Sequence, residues 1–248
     1  MRTKDFLYDS LLKIQAELSY PIETSLLRKT NWKQAKNILD YGCGNAYFSK
    51  LLARDYPDKT YYCCDRNEKI LAFAEQRPNM HVCCGEYPEI EFEPNFDFFL
   101  VRHLTSYLND RKAFFSWIND ISTENAGILL IDAFDENLVI EPLMPNFQVG
   151  LDKFYKQVGE SGGNRNLLGS IIDELDELDF VHRDTLKIVV NSQMPNQKEK
   201  LFVYMNLVAE LDNGLPLSED IREELMTWVT DETSYLQYGL FASVFEKK

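Results

Sequence analysis

The short apolar run Ile38-Leu39 ends in Asp40, and two glycines one residue apart, Gly42 and Gly44, follow with Cys43 between them. This order demands a strand that stops at a tight turn and passes into a helix. Glycine adopts positive φ at no steric cost and leaves the main chain bare, so that a ligand can lie directly against it. A second acid, Asp65, closes the next apolar run roughly 20 residues beyond Gly44, the βαβ spacing at which a carboxylate meets the hydroxyls of a ribose. A glycine pair alone would say little. The pair, the acid before it and the acid after it together predict a nucleotide-binding α/β unit.

Hydrophobic periodicity extends this unit in both directions. Leu7, Leu11, Ile14 and Leu18 recur at helical intervals and predict a helix over 4–18, with a second short helix over 22–27 after Pro21. Strands are expected at 37–40, 60–64, 80–84, 96–101 and 128–131, with helices at 46–53, 67–75 and 112–121 between them. Such alternation implies right-handed crossovers and a mostly parallel sheet. Its ligand crevice lies at the carboxyl ends of the strands, where Asp40, Asp65, Glu86 and Asp132 fall. Residues 135–168 are too long for an ordinary connection and carry Met144, Phe147, Phe154 and Tyr155, so they read as an insertion covering that crevice. A helix at 167–178, strands at 185–190 and 240–245, and helical segments at 198–211 and 218–235 complete the chain, with Ser218 as an N-cap. The expected organisation is an N-terminal helical cap over 1–35, a cofactor-binding core over 36–134 and the covering insertion over 135–168. Completion of the core follows over 169–248, with a helical lid segment near 198–235.

Composition narrows the function. With 248 residues and 45% apolar content the chain can bury one sizeable core. Forty acidic against 26 basic residues give a net charge of −14, with no dense Lys/Arg cluster to override it, which disfavours nucleic-acid partners. No apolar stretch approaches a membrane span and no N-terminal leader pattern stands out, so a cytoplasmic protein without a membrane partner is expected. The five cysteines, Cys43, Cys63, Cys64, Cys83 and Cys84, sit at the turn or on strands and read as buried free thiols. Their spacing does not suit a zinc site, and no metal is expected.

The turn resembles motif I of the class I S-adenosylmethionine-dependent methyltransferases: Asp40, Gly42 and Gly44 match, and Ala46 stands where a third glycine is common. The resemblance implies a Rossmann-like, seven-stranded, mostly parallel sheet with an antiparallel final strand, a helical lid, and S-adenosyl-L-methionine as cofactor. By the same resemblance Asp40, Gly42, Cys43 and Gly44 face the methionine part of the cofactor, Asp65 and Arg66 its ribose, and Gly85 and Glu86 its adenine. Arg102 and His103 lie where such proteins line the boundary between cofactor and acceptor. A dinucleotide dehydrogenase is the nearest rival, but its fingerprint needs a small residue where this chain has Tyr47. A P-loop is excluded because no Lys-Ser or Lys-Thr follows the glycines.

Methyl transfer from a sulfonium asks mainly for in-line positioning, and a base helps only if the acceptor must lose a proton. His103 is the candidate base, or else a residue that shapes the pocket; Arg102 is a candidate for orienting the acceptor. Tyr20, His103, Phe147, Tyr155 and Arg165 are the candidate acceptor contacts. Glu160, Glu174 and Asp176 read as solvated or helix-capping. The expected activity is transfer of a methyl group to an oxygen, nitrogen or carbon atom of a small molecule by a monomer or homodimer. The alternative is a cofactor-binding regulatory or assembly protein without turnover.

Overall fold

The computed structural model describes residues 3–93, 95–160, 168–213 and 217–248. Arg165, named above as a candidate acceptor contact, lies outside them.

Helix α1 (Lys4–Ser25) leads into β1 (Asn37–Tyr41), α2 (Tyr47–Asp55), β2 (Thr60–Asp65), α3 (Glu68–Leu71) and β3 (Met80–Cys84). The chain continues through β4 (Phe96–Arg102), α4 (Arg111–Asp120), β5 (Ser122–Ala133), β6 (Val139–Glu141) and α5 (Pro145–Glu160). It closes with α6 (Leu168–Asp176), β7 (Phe180–Asn191), α7 (Gln197–Asn213), α8 (Glu219–Thr230) and β8 (Tyr235–Lys247).

The strands form one sheet in the order β3-β2-β1-β4-β5-β8, with β7 on the far edge of β8. The pairs from β3 to β5 are parallel, and β8 runs antiparallel to β5, β6 and β7. Short β6 pairs with residues 235–237 of β8, just beyond the 240–246 stretch that pairs with β5. β5 and β6 therefore share one column. The sheet is seven columns wide, with an antiparallel final strand.

Both faces of this sheet are covered, which is why its central strands are near-continuously apolar. Ile38, Phe98, Leu100, Leu129 and Ile131 pack with residues of α1, α2, α7 and α8. Their neighbours Leu39, Phe99, Val101, Ile128 and Leu130 pack with Phe114, Phe115 and Ile118 of α4 and Ile171 and Leu175 of α6. Cys63 and Cys64 are split between the two layers, as alternation along a strand requires.

Several local expectations are corrected. Helix α1 does not stop at Pro21 but runs on to Ser25, so 22–27 is not a separate helix. Tertiary contact overrides the proline: Glu23, in that last stretch, is fully buried and receives the Arg102 guanidinium from the end of β4. Helix α3 ends at Leu71 rather than Glu75, because the N–H groups of Phe73 and Ala74 bond three residues back and tighten the chain out of the helix. Strand β5 begins at Ser122, six residues early, and reaches across an irregularity in its pairing with β4. Of the five thiols expected to be buried, Cys63 and Cys64 are buried, Cys43 and Cys83 are half-buried, and Cys84 is exposed. Glu174 is not solvated: it is buried and receives Nε and Nη2 of Arg111 at 3.2 and 2.8 Å, joining α6 to α4. The Ser218 hydroxyl does cap α8, accepting from the Ile221 N–H at 3.4 Å.

Candidate cofactor and acceptor site

The chain leaves β1 in left-handed conformation three times, at Gly42 (φ 76°), Gly44 (φ 57°) and Ala46 (φ 54°). Alanine thus takes the conformation a third glycine would hold, at a modest steric cost. The turn is fixed to the end of β2, because the N–H groups of Gly42 and Cys43 both donate to the Cys64 carbonyl, at 2.8 and 3.0 Å. Asp65 completes the tie: its Oδ2 accepts the Gly44 N–H at 2.8 Å and its Oδ1 the Asn67 N–H at 2.9 Å.

Asp40 sits beneath the turn and is only 2% exposed. Its Oδ2 accepts the Ser49 hydroxyl at 2.7 Å. Burial nevertheless lifts its pKa to about 6, against the lowering effects of Ser49 and of the Arg102 charge. Burial likewise pushes the Cys43 thiol well above its ordinary range, so it is a neutral thiol and not a nucleophile.

Helix α1 roofs the turn. A Cβ placed on Gly44 would come within 2.6 Å of Leu12 Cδ1. The Asn45 side chain fastens the roof by donating to the carbonyl and the Oδ1 of Asp9, at 3.1 and 2.8 Å. Beneath α1 lies a cavity of about 500 Å³, within the range of small-molecule sites.

Its walls bring together most of the residues singled out above. Asp40, Gly42, Cys43, Gly44 and Asp65 line it at the turn, Arg102 and His103 at the end of β4, and Phe147 and Tyr155 from α5. His103 has φ 51° and is pinned by its N–H to the Ile131 carbonyl at 2.7 Å. Asp132 also lines the cavity, but its carboxylate is saturated by the Thr105 hydroxyl and by the Ser106 hydroxyl and N–H, at 2.6, 2.7 and 3.0 Å. It anchors the loop after β4.

Four candidates fall elsewhere. Arg66 and Glu86 pair at 3.0 Å on the exposed rim. Gly85 packs against Ile90 and gives its N–H to the Asp65 carbonyl at 3.2 Å. Tyr20 is not among the lining residues, and its hydroxyl donates to Asp55 at 2.7 Å.

Arg102 lines the cavity but is already engaged. Its Nε and Nη2 donate to the two oxygens of Glu23, at 2.9 and 3.1 Å, and its guanidinium stacks 3.8 Å from the centre of the Phe48 ring. With Glu23 fully buried, this fork fastens α1 to the sheet. Glu23→Gln is expected to destabilise the protein by about 3 kcal/mol, because a buried guanidinium loses its counter-charge; urea denaturation at neutral pH measures it. Unchanged stability would mean that α1 is held by its apolar contacts alone.

Helix α7 falls in the helical lid segment expected near 198–235, but none of its lining residues was named from the sequence. Tyr204, Met205, Val208, Leu211 and Asp212 all line the cavity and repeat at the spacing of one helical face, a pattern that was present but indistinguishable from ordinary core. Glu23 was not named either, and nothing local in the sequence signals its burial.

Residues 38–124 match the family described as a methyltransferase domain. The malonyl-[acyl-carrier protein] O-methyltransferase of Acetivibrio thermocellus is 25% identical over 139 residues, 51% of this chain and 45% of the relative. The chain thus matches about half the length of the curated relatives it resembles. Phosphoethanolamine N-methyltransferase 2 of Haemonchus contortus, solved with phosphomonomethylethanolamine and S-adenosylhomocysteine, superposes with a TM-score of 0.57 at 16% identity. That superposition covers 96% of this chain and 57% of the other. N-methyltransferase NodS of Bradyrhizobium japonicum, solved with S-adenosylhomocysteine, gives 0.53 at 12% identity over 93% and 87% of the two chains. By its sheet order and its glycine turn, and over residues 38–124 by its sequence, the chain is similar to the class I S-adenosylmethionine-dependent methyltransferases.

Proposed function

We propose that this protein binds S-adenosylmethionine and transfers its methyl group to an oxygen, nitrogen or carbon atom of a small molecule. The observation that carries this reading is the opening of the Asp40, Gly42, Gly44 and Asp65 constellation into a single roofed cavity of about 500 Å³. The residues suit the cofactor. Two positive-φ glycines leave bare main chain for the methionine part, and the Asp65 carboxylate, now accepting two backbone N–H groups, is placed to accept ribose hydroxyls. Arg66, Gly85 and Glu86 do not line the cavity; they follow β2 and β3, on the side where the resemblance would put the adenine. When bound, the cofactor supplies an activated methyl group on a sulfonium, which needs an aligned nucleophile more than covalent help.

The chain's own residues then position, exclude water and, for acceptors that must lose a proton, remove it. His103, tied by its N–H to the Ile131 carbonyl just after β4, is the lining imidazole that serves as this base. Helices α1, α5 and α7 supply walls of the cavity and so limit the water that reaches it. A cytoplasmic monomer or homodimer acting on a metabolite fits the acidic surface, and no described helix is long and apolar enough to cross a membrane.

The test is calorimetric titration with S-adenosylmethionine and separately with NAD, followed by transfer of labelled methyl to a metabolite extract. Saturable binding of S-adenosylmethionine, no binding of NAD and label in a small molecule are expected. NAD binding alone would sink the reading of the glycine turn, and firm cofactor binding with no transfer would favour the regulatory alternative.

A further inference from the structure

The α7 wall carries a group that the chemistry above does not use. Tyr204, Met205, Val208 and Leu211 present an apolar and aromatic stripe to the cavity, and Asp212 ends it. Asp212 lies in the last turn of α7, at the negative end of the helix dipole, where there is no basic residue. Its Oδ2 is buried and, among the described residues, meets no hydrogen-bond donor. Such an oxygen is costly to leave unpaired, and a donor with positive charge satisfies it best. Burial raises the Asp212 carboxyl to about 6, and the charge of Lys4, another lining residue, offsets this only in part.

The rest of the chamber selects for the same chemistry. Tyr204 of α7 and Tyr238 of β8 line it with ring centroids 5.1 Å apart, and Phe154 and Tyr155 of α5 add a second pair at 5.9 Å. Aromatic faces in a chamber that also holds a carboxylate attract organic cations. Carboxylates at Asp40, Asp65, Asp132 and Asp212 share the lining with Lys4, Arg102 and Lys153. Glu23 already neutralises Arg102, and Lys153 is exposed at the edge. The wall therefore repels anionic acceptors.

We propose that Asp212 is the acceptor-recognition residue of this cavity and that the acceptor is an organic amine. Its ammonium group is received by the Asp212 carboxylate and its apolar body by the rings of Tyr204 and Tyr238; because only the neutral amine has a lone pair for the methyl carbon, that nitrogen gives one proton to His103 before transfer. The proposal rests on the reading of the cavity as a methyl-transfer site and names the class of molecule that enters it. It requires no movement of the glycine turn.

Calorimetry with three probes of one shape tests it: 4-phenylbutylamine, 4-phenyl-1-butanol and 4-phenylbutyrate, titrated into the protein with and without S-adenosylhomocysteine. The amine is expected to bind about tenfold tighter than the alcohol, and the carboxylate most weakly. Asp212→Asn should erase that preference, Asp212→Glu should restore part of it, and Tyr204→Leu should weaken the amine with Asp212 intact. Affinity for S-adenosylmethionine should be equal in wild type and Asp212→Asn, and thermal melts confirm that each variant folds. Equal binding of all three probes, or an amine preference that survives in Asp212→Asn, overturns the proposal. So does a loss of cofactor affinity in Asp212→Asn that matches the loss for the amine, since Asp212 would then hold the cofactor. Failure of the wild type to bind either cofactor form brings down the methyl-transfer reading, and the titrations without S-adenosylhomocysteine still judge Asp212.

Discussion

Asp65→Ala is expected to lower affinity for S-adenosylmethionine by about two orders of magnitude and to leave the protein folded. The carboxylate ties the glycine turn to the chain that follows β2, accepting from the Gly44 N–H at 2.8 Å and from the Asn67 N–H at 2.9 Å. It also lines the cavity. Hydrogen bonds to a charged acceptor contribute roughly 1.5–3 kcal/mol each, so losing two ribose contacts at the low end of that range corresponds to about a hundredfold in dissociation constant. The fold survives because Gly42 and Cys43 remain tied to the Cys64 carbonyl. Calorimetry on the wild type, Asp65→Ala and Asp65→Asn checks this, with the asparagine variant falling in between. A cofactor affinity unmoved by either change would remove Asp65 from the ribose site and leave it as a turn-bracing residue.

Asp40→Asn is expected to stabilise the protein at pH 8 and to weaken the cofactor site. The folded-state pKa of Asp40 is about 6, raised from 3.8 mainly by burial. Between those values the folded protein binds more protons than the unfolded chain. The associated stability is therefore fully present below pH 3.8 and is lost as pH rises through 6. A shift of that size corresponds to about 3 kcal/mol at the alkaline end. Asparagine keeps an acceptor for the Ser49 hydroxyl but has no charge to bury, so the decline from pH 4 to 7 should flatten. Urea denaturation of both proteins at pH 4, 6 and 8 reads this directly. Parallel profiles for the two proteins would show that the buried carboxyl does not govern the acid limb. The accompanying fall in cofactor affinity, about tenfold or more, would mark Asp40 as a group kept for binding at the expense of stability.

How much of this was legible in the chain follows from the range of each interaction. Asp40, Gly42, Gly44 and Asp65 could be read directly, because a tight turn at the end of a parallel strand is governed by residues within one βαβ unit. The buried strands were legible for the same reason: runs such as Phe98 to Val101 are apolar on both faces. Helix α1 beyond Pro21 was not, since what carries the helix on is the pairing of Glu23 with Arg102, 79 positions away. The α7 wall was half legible. Its periodicity predicted a helix, but a stripe facing a cavity and a stripe facing a core have the same spacing, and only the packing of α1, α5 and β8 around it separates them. Arg102 shows the converse, a residue placed correctly by topology whose charge turned out to be spoken for by a distant acid.

The position of β8 has a consequence for how the molecule assembles during synthesis. It follows every other strand in chain order, yet it supplies the partner for β5, β6 and β7 at once. Until residues 235–247 emerge, the apolar edge of β5 has no antiparallel neighbour and β7 has no place in the sheet. A nascent chain therefore carries an open, strongly hydrophobic strand edge for the time taken to translate more than a hundred residues after β5, which is the kind of surface that recruits chaperones or pairs with another chain. Ribosome-stalled intermediates ending before Tyr235 should accordingly be the most aggregation-prone species this protein ever populates.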